Sequence, residues 1–294
     1  MEARVAINPI DRTALPTLNG WRRKAQHHGI RVSLNSFSEV ISAFSAATGA
    51  FAGRVPENWL QGRTFYGGLT AALCLEGALR AFAGLPPLRS AQISFIGPAE
   101  GEVRVTASML RQGKSVTFVN ADLSGEGGLA ARAVFAFGAA RESIFNRHFT
   151  PAPDLPGPDD AGLFFPPGFE GPIFARNFDV RLAKGGVPAT ASTEHDHFLW
   201  VRHRDPKATS IGALLALADM PPPAIMPMFP AFARISSMTW GLNFLTDHPT
   251  TEDGWWLLES RAENAAEGYS SQDMFVWSRA GEPVIAGRQS VAIF

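Results

Sequence analysis

The stretch LLALADMPPP, residues 214–223, carries one charge, the carboxylate of Asp219, at the end of an apolar run that three prolines close. An unpaired carboxylate in an apolar setting is costly and answers by raising its pKa. The negative pole at its own helix end adds to that cost. Asp219 therefore either turns out into solvent or has a partner and a task, and the chemistry open to it is proton acceptance and the orientation of water. A second polar group stands out in the last strand-like run, VIAGRQSVAIF (284–294). Alternation puts Ile285, Gly287, Gln289, Val291 and Ile293 on one face, so Gln289 is the single polar side chain of an otherwise apolar stripe. One such residue is commonly a satisfied core group. Two inward polar groups in the same part of the chain point to a site.

Other candidates carry less. Glu76 is the lone acid of another apolar helix, with Arg80 one turn on as its natural partner. His195-Asp196-His197 is the nearest approach to a metal cluster and reads as a polar turn leading into the strand FLWVRHR. No metal and no cofactor are expected. There is no G-x-S-x-G nucleophile elbow anywhere.

The elements that must hold these groups recur twice. SFSEVISAF (36–44) reads as a short helix, and NWLQGRTFYGG (58–68) leads into the apolar helix LTAALCLEGALRAFAG (69–84). Gly67-Gly68, at that junction, reads as a tight turn and also permits close backbone approach by a ligand. Strand-like runs follow at 89–97, 102–112, 114–124 and 129–138, joined by short glycine-rich turns that imply antiparallel neighbours. Residues 150–172 are dominated by proline and glycine. After them come strands at 174–183 and 198–204, a second buried helix at 211–219, and strands at 233–245, 255–263, 269–278 and 284–294. Arg132 and Arg288 fall at matching points of the two copies, and where the second copy has Gln289 the first has alanine.

A long apolar helix wrapped by an antiparallel sheet, twice over, is an α+β tandem, or double, hot-dog. The expected organisation is an N-terminal extension at 1–35, a first repeat at 36–147, a linker at 148–172, and a second repeat at 173–294 that carries the site.

The 294 residues are 46% hydrophobic and 18% charged, with a net charge of −1. A pI near 6.7 lacks the basic excess of a nucleic-acid binder. No run approaches the roughly 18 apolar residues of a membrane span, and the N-terminus shows no signal-peptide pattern. One cysteine, Cys74, excludes an internal disulfide framework. The expectation is a cytoplasmic protein with no nucleic-acid or membrane partner. Its Trp and Phe content fits association into homodimers or larger assemblies.

Across residues 36–294 the chain resembles the acyl-CoA thioesterase II, or TesB-like, family of double hot-dog enzymes. The segments that carry the likeness are TFYGGLTAALCLEGALRA, SAQISFIGP, LRQGKSVTFVNADL, FLWVRHRDP with IGALLALAD, SMTWGLNFL and VIAGRQSVAIF, in that order. The resemblance implies hydrolysis of a fatty acyl-CoA to acid and CoA by an attacking water. It implies that an aspartate, a hydroxyl and a glutamine hold that water, and these fall on Asp219, Ser237 and Gln289. Strict alternation in SMTWGLNFL favours Ser236, because Met238, Trp240, Leu242 and Phe244 form the apolar face. A bulge would reconcile the two readings, with Ser236 and Thr239 as the alternatives to Ser237. The family often has an Asp-His pair after the hydroxyl, and here Thr239 and Trp240 stand in its place. That departure keeps open a non-catalytic acyl-CoA binder. A hot-dog hydratase is the remaining alternative, disfavoured because no histidine lies near Asp219 in the helix. The loop with Met220, Met226, Met228, Phe229 and Phe232 offers flexible apolar lining for an acyl chain.

Overall fold

The computed structural model describes residues 34–165 and 171–294. The expected extension at 1–35 lies outside them, apart from Leu34 and Asn35. Helix α1 (Phe37–Ala43) starts at a capping box, in which Ser36 and Glu39 satisfy each other's backbone N–H. A hairpin follows, β1 (Ser45–Ala47) and β2 (Ala50–Arg54). A small ladder, β3 (Leu60–Gln61) with β4 (Thr64–Phe65), leads into α2 (Gly67–Ala81). The first set of long strands is β5 (Leu88–Phe95), β6 (Glu102–Gln112), β7 (Val116–Gly125) and β8 (Gly128–Gly138). Then come the short β9 (Gly162–Leu163), β10 (Phe178–Gly185), β11 (Asp196–His203) and helix α3 (Ile211–Ala218). The chain closes with β12 (Ile235–Phe244), β13 (Trp256–Ala266), β14 (Tyr269–Ser278) and β15 (Pro283–Ile293).

Among the described residues, all strands but β3 and β4 form one antiparallel sheet of 13 strands, in the order β1-β2-β6-β7-β8-β5-β12-β15-β14-β13-β11-β10-β9. Read outward from the β5–β12 join, the two halves have matching connectivity. β5-β8-β7-β6-β2-β1 on one side answers β12-β15-β14-β13-β11-β10 on the other. This is the double hot-dog α+β fold, with α2 and α3 as the two central helices. The hairpin β1–β2 was not anticipated. Its sequence, SAATGAFAGR, is rich in alanine and glycine, which carry little strand preference. Its counterparts β10 and β11 are aromatic and β-branched and read as strands from sequence.

Both helices are buried on nearly every face. Residues 68–75 of α2 and 212–218 of α3 lie in the interior. They pack against each other in opposite directions. Gly68, at the start of α2, lies against the carbonyl of Ala216 near the end of α3. Farther along α2, Glu76 lies against Gly212 at the start of α3. The inner sheet face supplies the rest of the core, including Ile93, Val119, Phe135, Leu199, Leu258 and Ile285.

Candidate functional site

Asp219 is the C-cap of α3, with φ −90° and ψ 2°. Its carboxylate does not fan out into solvent. Gln289 Nε2 donates to Asp219 Oδ1 at 2.9 Å, and the backbone N–H of Gly68 donates to the same carboxylate. The negative end of its own helix is thus offset by the positive end of the other. The first turn of α2 has no side-chain cap, so one of its orphan N–H groups finds this carboxylate instead. Burial is the main force on the group and pushes its pKa up to about 7, against the two hydrogen bonds that pull it down. A carboxyl there holds both protonation states near neutrality, as a general base must.

Gly67 and Gly68 make the approach possible. A Cβ on Gly67 would stand 2.7 Å from Asp219 Oδ2, and one on Gly68 would stand 2.3 Å from the Ala216 carbonyl oxygen. Neither residue has positive φ, so it is close helix approach that requires glycine here. Tyr66, just before α2, closes the same corner by donating to the Ala216 carbonyl at 2.6 Å.

Gln289 is buried in β15, opposite Trp240 of β12 and Gln272 of β14. Its carbonyl oxygen accepts from Gln272 Nε2 at 2.9 Å. Gln272 in turn accepts the backbone N–H of Ala224 at 2.8 Å, in the segment that follows the three prolines. Sequence reasoning missed Gln272. The signal was there: Ser270, Gln272, Met274 and Val276 share the inward face of YSSQDMFVWS, and the glutamine is out of place on it just as Gln289 is.

In β12 the register with β15 shifts between Ser237 and Thr239. Ser237 pairs with Val291, Thr239 with Ser290 and Trp240 with Gln289, which leaves Met238 as the extra residue of a bulge. Because Val291 and Gln289 both face the core, Ser237 lies on the Gln289 side of the sheet. Ser236 and Thr239 are exposed, while Ser237 is half-buried. The bulge, not alternation alone, sets which serine faces inward. The structure brings Asp219 and Gln289 into contact. Ser237 shares their face without a hydrogen bond to either.

The first repeat holds a weaker version of the same arrangement. Glu76 approaches Gly212 much as Asp219 approaches Gly67, and it pairs with Arg80 at 3.7 Å. Burial raises its pKa and Arg80 opposes the rise. The sheet beside it offers no polar partner: Ile93, Ala121 and Ala133 occupy the places of Trp240, Gln272 and Gln289. His195 and Asp196 do not form a metal cluster with His197. Asp196 and His197 belong to β11, and His197 is fully buried. Among the described residues no group of three or more His, Cys, Asp or Glu side chains is arranged to hold a metal.

Of the loop expected to line an acyl site, Met220 is part of the core. Ala224 and Ile225 pack with Phe229, Ile235 and Ile293, while Met228 and Phe232 stay exposed. A surface cavity of about 1160 Å³ runs along α3 past Ser210, Leu214 and Leu217, and Asp219 is not in its wall. No helix among the described residues is long and apolar enough to cross a membrane.

Comparison with known proteins gives consistent results. The family model described as the acyl-CoA thioesterase C-terminal domain matches residues 150–293, and that of the N-terminal domain matches residues 55–138. An uncharacterised protein of Mycobacterium tuberculosis is 30% identical over 118 residues, 38% of this chain and 37% of that protein. The match thus spans little over a third of the length of such curated relatives. A solved hot-dog protein of unknown function from Alicyclobacillus acidocaldarius superposes with a TM-score of 0.80 at 24% identity, covering 89% of this chain and 99% of that one. An acyl-CoA thioesterase II from Mycobacterium marinum gives 0.68 at 19% identity, covering 87% and 97%. A tesB protein from Mycobacterium avium subspecies paratuberculosis gives 0.71 at 15%, covering 88% and 100%. At these identities the solved structures speak for the fold.

Proposed function

The chain belongs to the acyl-CoA thioesterase family, and on that footing we propose that it hydrolyses fatty acyl-CoA to the free acid and CoA, with Asp219 as the base. The single observation that carries this reading is the Asp219 carboxylate, held by Gln289 and Gly68 and poised at about 7. Asp219 takes a proton from a water as its oxygen bonds to the thioester carbonyl carbon. Gln289 and the Ser237 hydroxyl fix the water's orientation. The tetrahedral oxyanion forms near the N-terminal pole of α2, where helix N–H groups and dipole favour negative charge. It collapses with cleavage of the C–S bond, and the thiolate leaves without a strong acid because free thiols titrate near about 8.5. No nucleophile on the enzyme is required, in keeping with the missing elbow motif. The site-bearing half is read as residues 173–294, with the first half lending the end of α2.

A hydratase would need a histidine partnered with Asp219, and among the described residues no histidine hydrogen-bonds to it. The decisive experiment is thiol release from a panel of acyl-CoAs from C2 to C16, with wild type beside Asp219→Asn. Turnover by wild type and a loss of about 100-fold or more in a folded variant support the reading. Equal rates from the two proteins remove Asp219 from the mechanism, and binding of acyl-CoA without turnover establishes the non-catalytic binder instead.

A further inference from the structure

We propose that Gln272 is a positioning residue, which locks the Gln289 amide so that Asp219 always faces a hydrogen-bond donor. The inference deepens the proposed function and rests on it only for its kinetic arm. Its basis is a chain of three hydrogen bonds. The Ala224 N–H donates to Gln272 Oε1 at 2.8 Å, Gln272 Nε2 donates to Gln289 Oε1 at 2.9 Å, and Gln289 Nε2 donates to Asp219 Oδ1 at 2.9 Å. Each link has one sense only. A backbone N–H cannot accept, so Gln272 must turn its oxygen toward Ala224 and its amide nitrogen toward Gln289. Gln289 must then turn its oxygen back and its nitrogen forward. Both glutamines are almost wholly buried, at 1% and 3% exposure, so no water competes for these bonds.

A free Gln289 amide would have two useful orientations. Its nitrogen suits the ionised carboxylate, and its oxygen suits the protonated one, which can donate. Gln272 penalises the second orientation, because it would set two amide nitrogens face to face. Protonated Asp219 can still accept from Gln289 at its carbonyl oxygen, more weakly than the carboxylate does, but finds no acceptor there for its own O–H, and the base form is favoured. The nearby Tyr66 phenol is pushed up by burial and by the Asp219 charge, and so stays neutral. Gly68 contributes a backbone N–H, which does not titrate. The lock therefore has one adjustable part. It is anchored in the stretch just past Pro221–Pro223, which gives that rigid turn a purpose beyond ending α3.

The test needs no substrate. Asp219 is titrated by carboxyl-carbon NMR in protein labelled at aspartate, with Asp219→Asn to assign the resonance, in wild type and in Gln272→Met. The proposal expects the midpoint to rise by about half a unit to one unit, a 3- to 10-fold shift in the proton equilibrium. In acyl-CoA hydrolysis the low-pH limb of kcat moves up by the same amount, while KM stays within about twofold and kcat near pH 9 approaches wild type. A merely structural role would lower the melting temperature and leave the midpoint in place. Should Gln272→Met fail to fold, Gln272→Leu, which likewise removes the donor to Gln289 and brings no charge of its own, must also raise the midpoint. An unmoved midpoint in a folded variant overturns the proposal. A raised midpoint in a protein that hydrolyses no acyl-CoA upholds the lock and sinks the thioesterase reading instead.

Discussion

Ala133 and Gln289 occupy the same station in the two halves of the sheet. Ala133 lies between Ile93 and Ala121, and Gln289 between Trp240 and Gln272. The residue before each is an arginine paired to an aspartate on the neighbouring strand, Arg132 with Asp122 at 2.6 Å and Arg288 with Asp273 at 3.3 Å. The outer faces keep the same ion pair while the inner faces differ. The difference between a packed core and a polar site is thus a matter of two buried amides.

Gln289→Met removes the donor that holds Asp219 without changing side-chain length. A loss in kcat of about 100-fold is expected, with folding retained, by thiol release and circular dichroism. The reciprocal change, Ala133→Gln, creates no second site. Its amide would be buried without a partner, and the chain should lose about 1–3 kcal/mol in denaturant unfolding.

Gly68→Ala drives a methyl group into the Ala216 carbonyl and the Tyr66 ring, neither of which can yield without moving a helix. The expected cost is about 1–3 kcal/mol in stability. Gly67→Ala meets the Asp219 carboxylate instead, so its activity should fall much further than its melting temperature.

Tyr66→Phe leaves the buried Ala216 carbonyl without its 2.6 Å donor. About 1–2 kcal/mol of stability should be lost. The end of α3 is loosened with it, so kcat should fall even where the variant is fully folded.

The pH behaviour of Asp219 separates activity from stability. As a base it must be ionised, so kcat should rise through pH 7 and level off above it. Stability runs the other way. Between the ordinary carboxylate pKa, about 3.9, and about 7, the folded chain holds a proton that the unfolded chain has released, so rising pH weakens folding through this group. Asp219→Asn should therefore melt higher than wild type at pH 8, by about 2–4 °C for each kcal/mol relieved, and the gap should close toward pH 4.

Much of this could be read from sequence because contrast is legible. Asp219 and Gln289 are polar residues on apolar faces, and a period of 2 or 3.6 exposes such misfits. Gln272 was open to the same reasoning and was overlooked, because the Ser270-Ser271 pair before it blurs the alternation. The hairpin β1–β2 was hidden by its alanines and glycines, whose place in the sheet is decided by neighbours far away in sequence. The choice between Ser236 and Ser237 depends on where one extra residue is accommodated, which alternation alone does not encode. The N–H of Gly68 was beyond sequence altogether. It is a backbone group, and only the crossing of two helices shows what it faces.

That crossing also sets the arithmetic of the molecule. The carboxylate comes from α3, but the N–H that meets it comes from α2, in the other half. Neither half owns a complete centre. A pair of identical hot-dogs would carry two equal centres by symmetry. On the proposed function, this chain, by joining its halves through β5 and β12, has let one half specialise as scaffold and the other as reagent. A tight active-site titrant should accordingly count one equivalent for each polypeptide, and on that reading half the fold serves to aim a dipole at the work of the other.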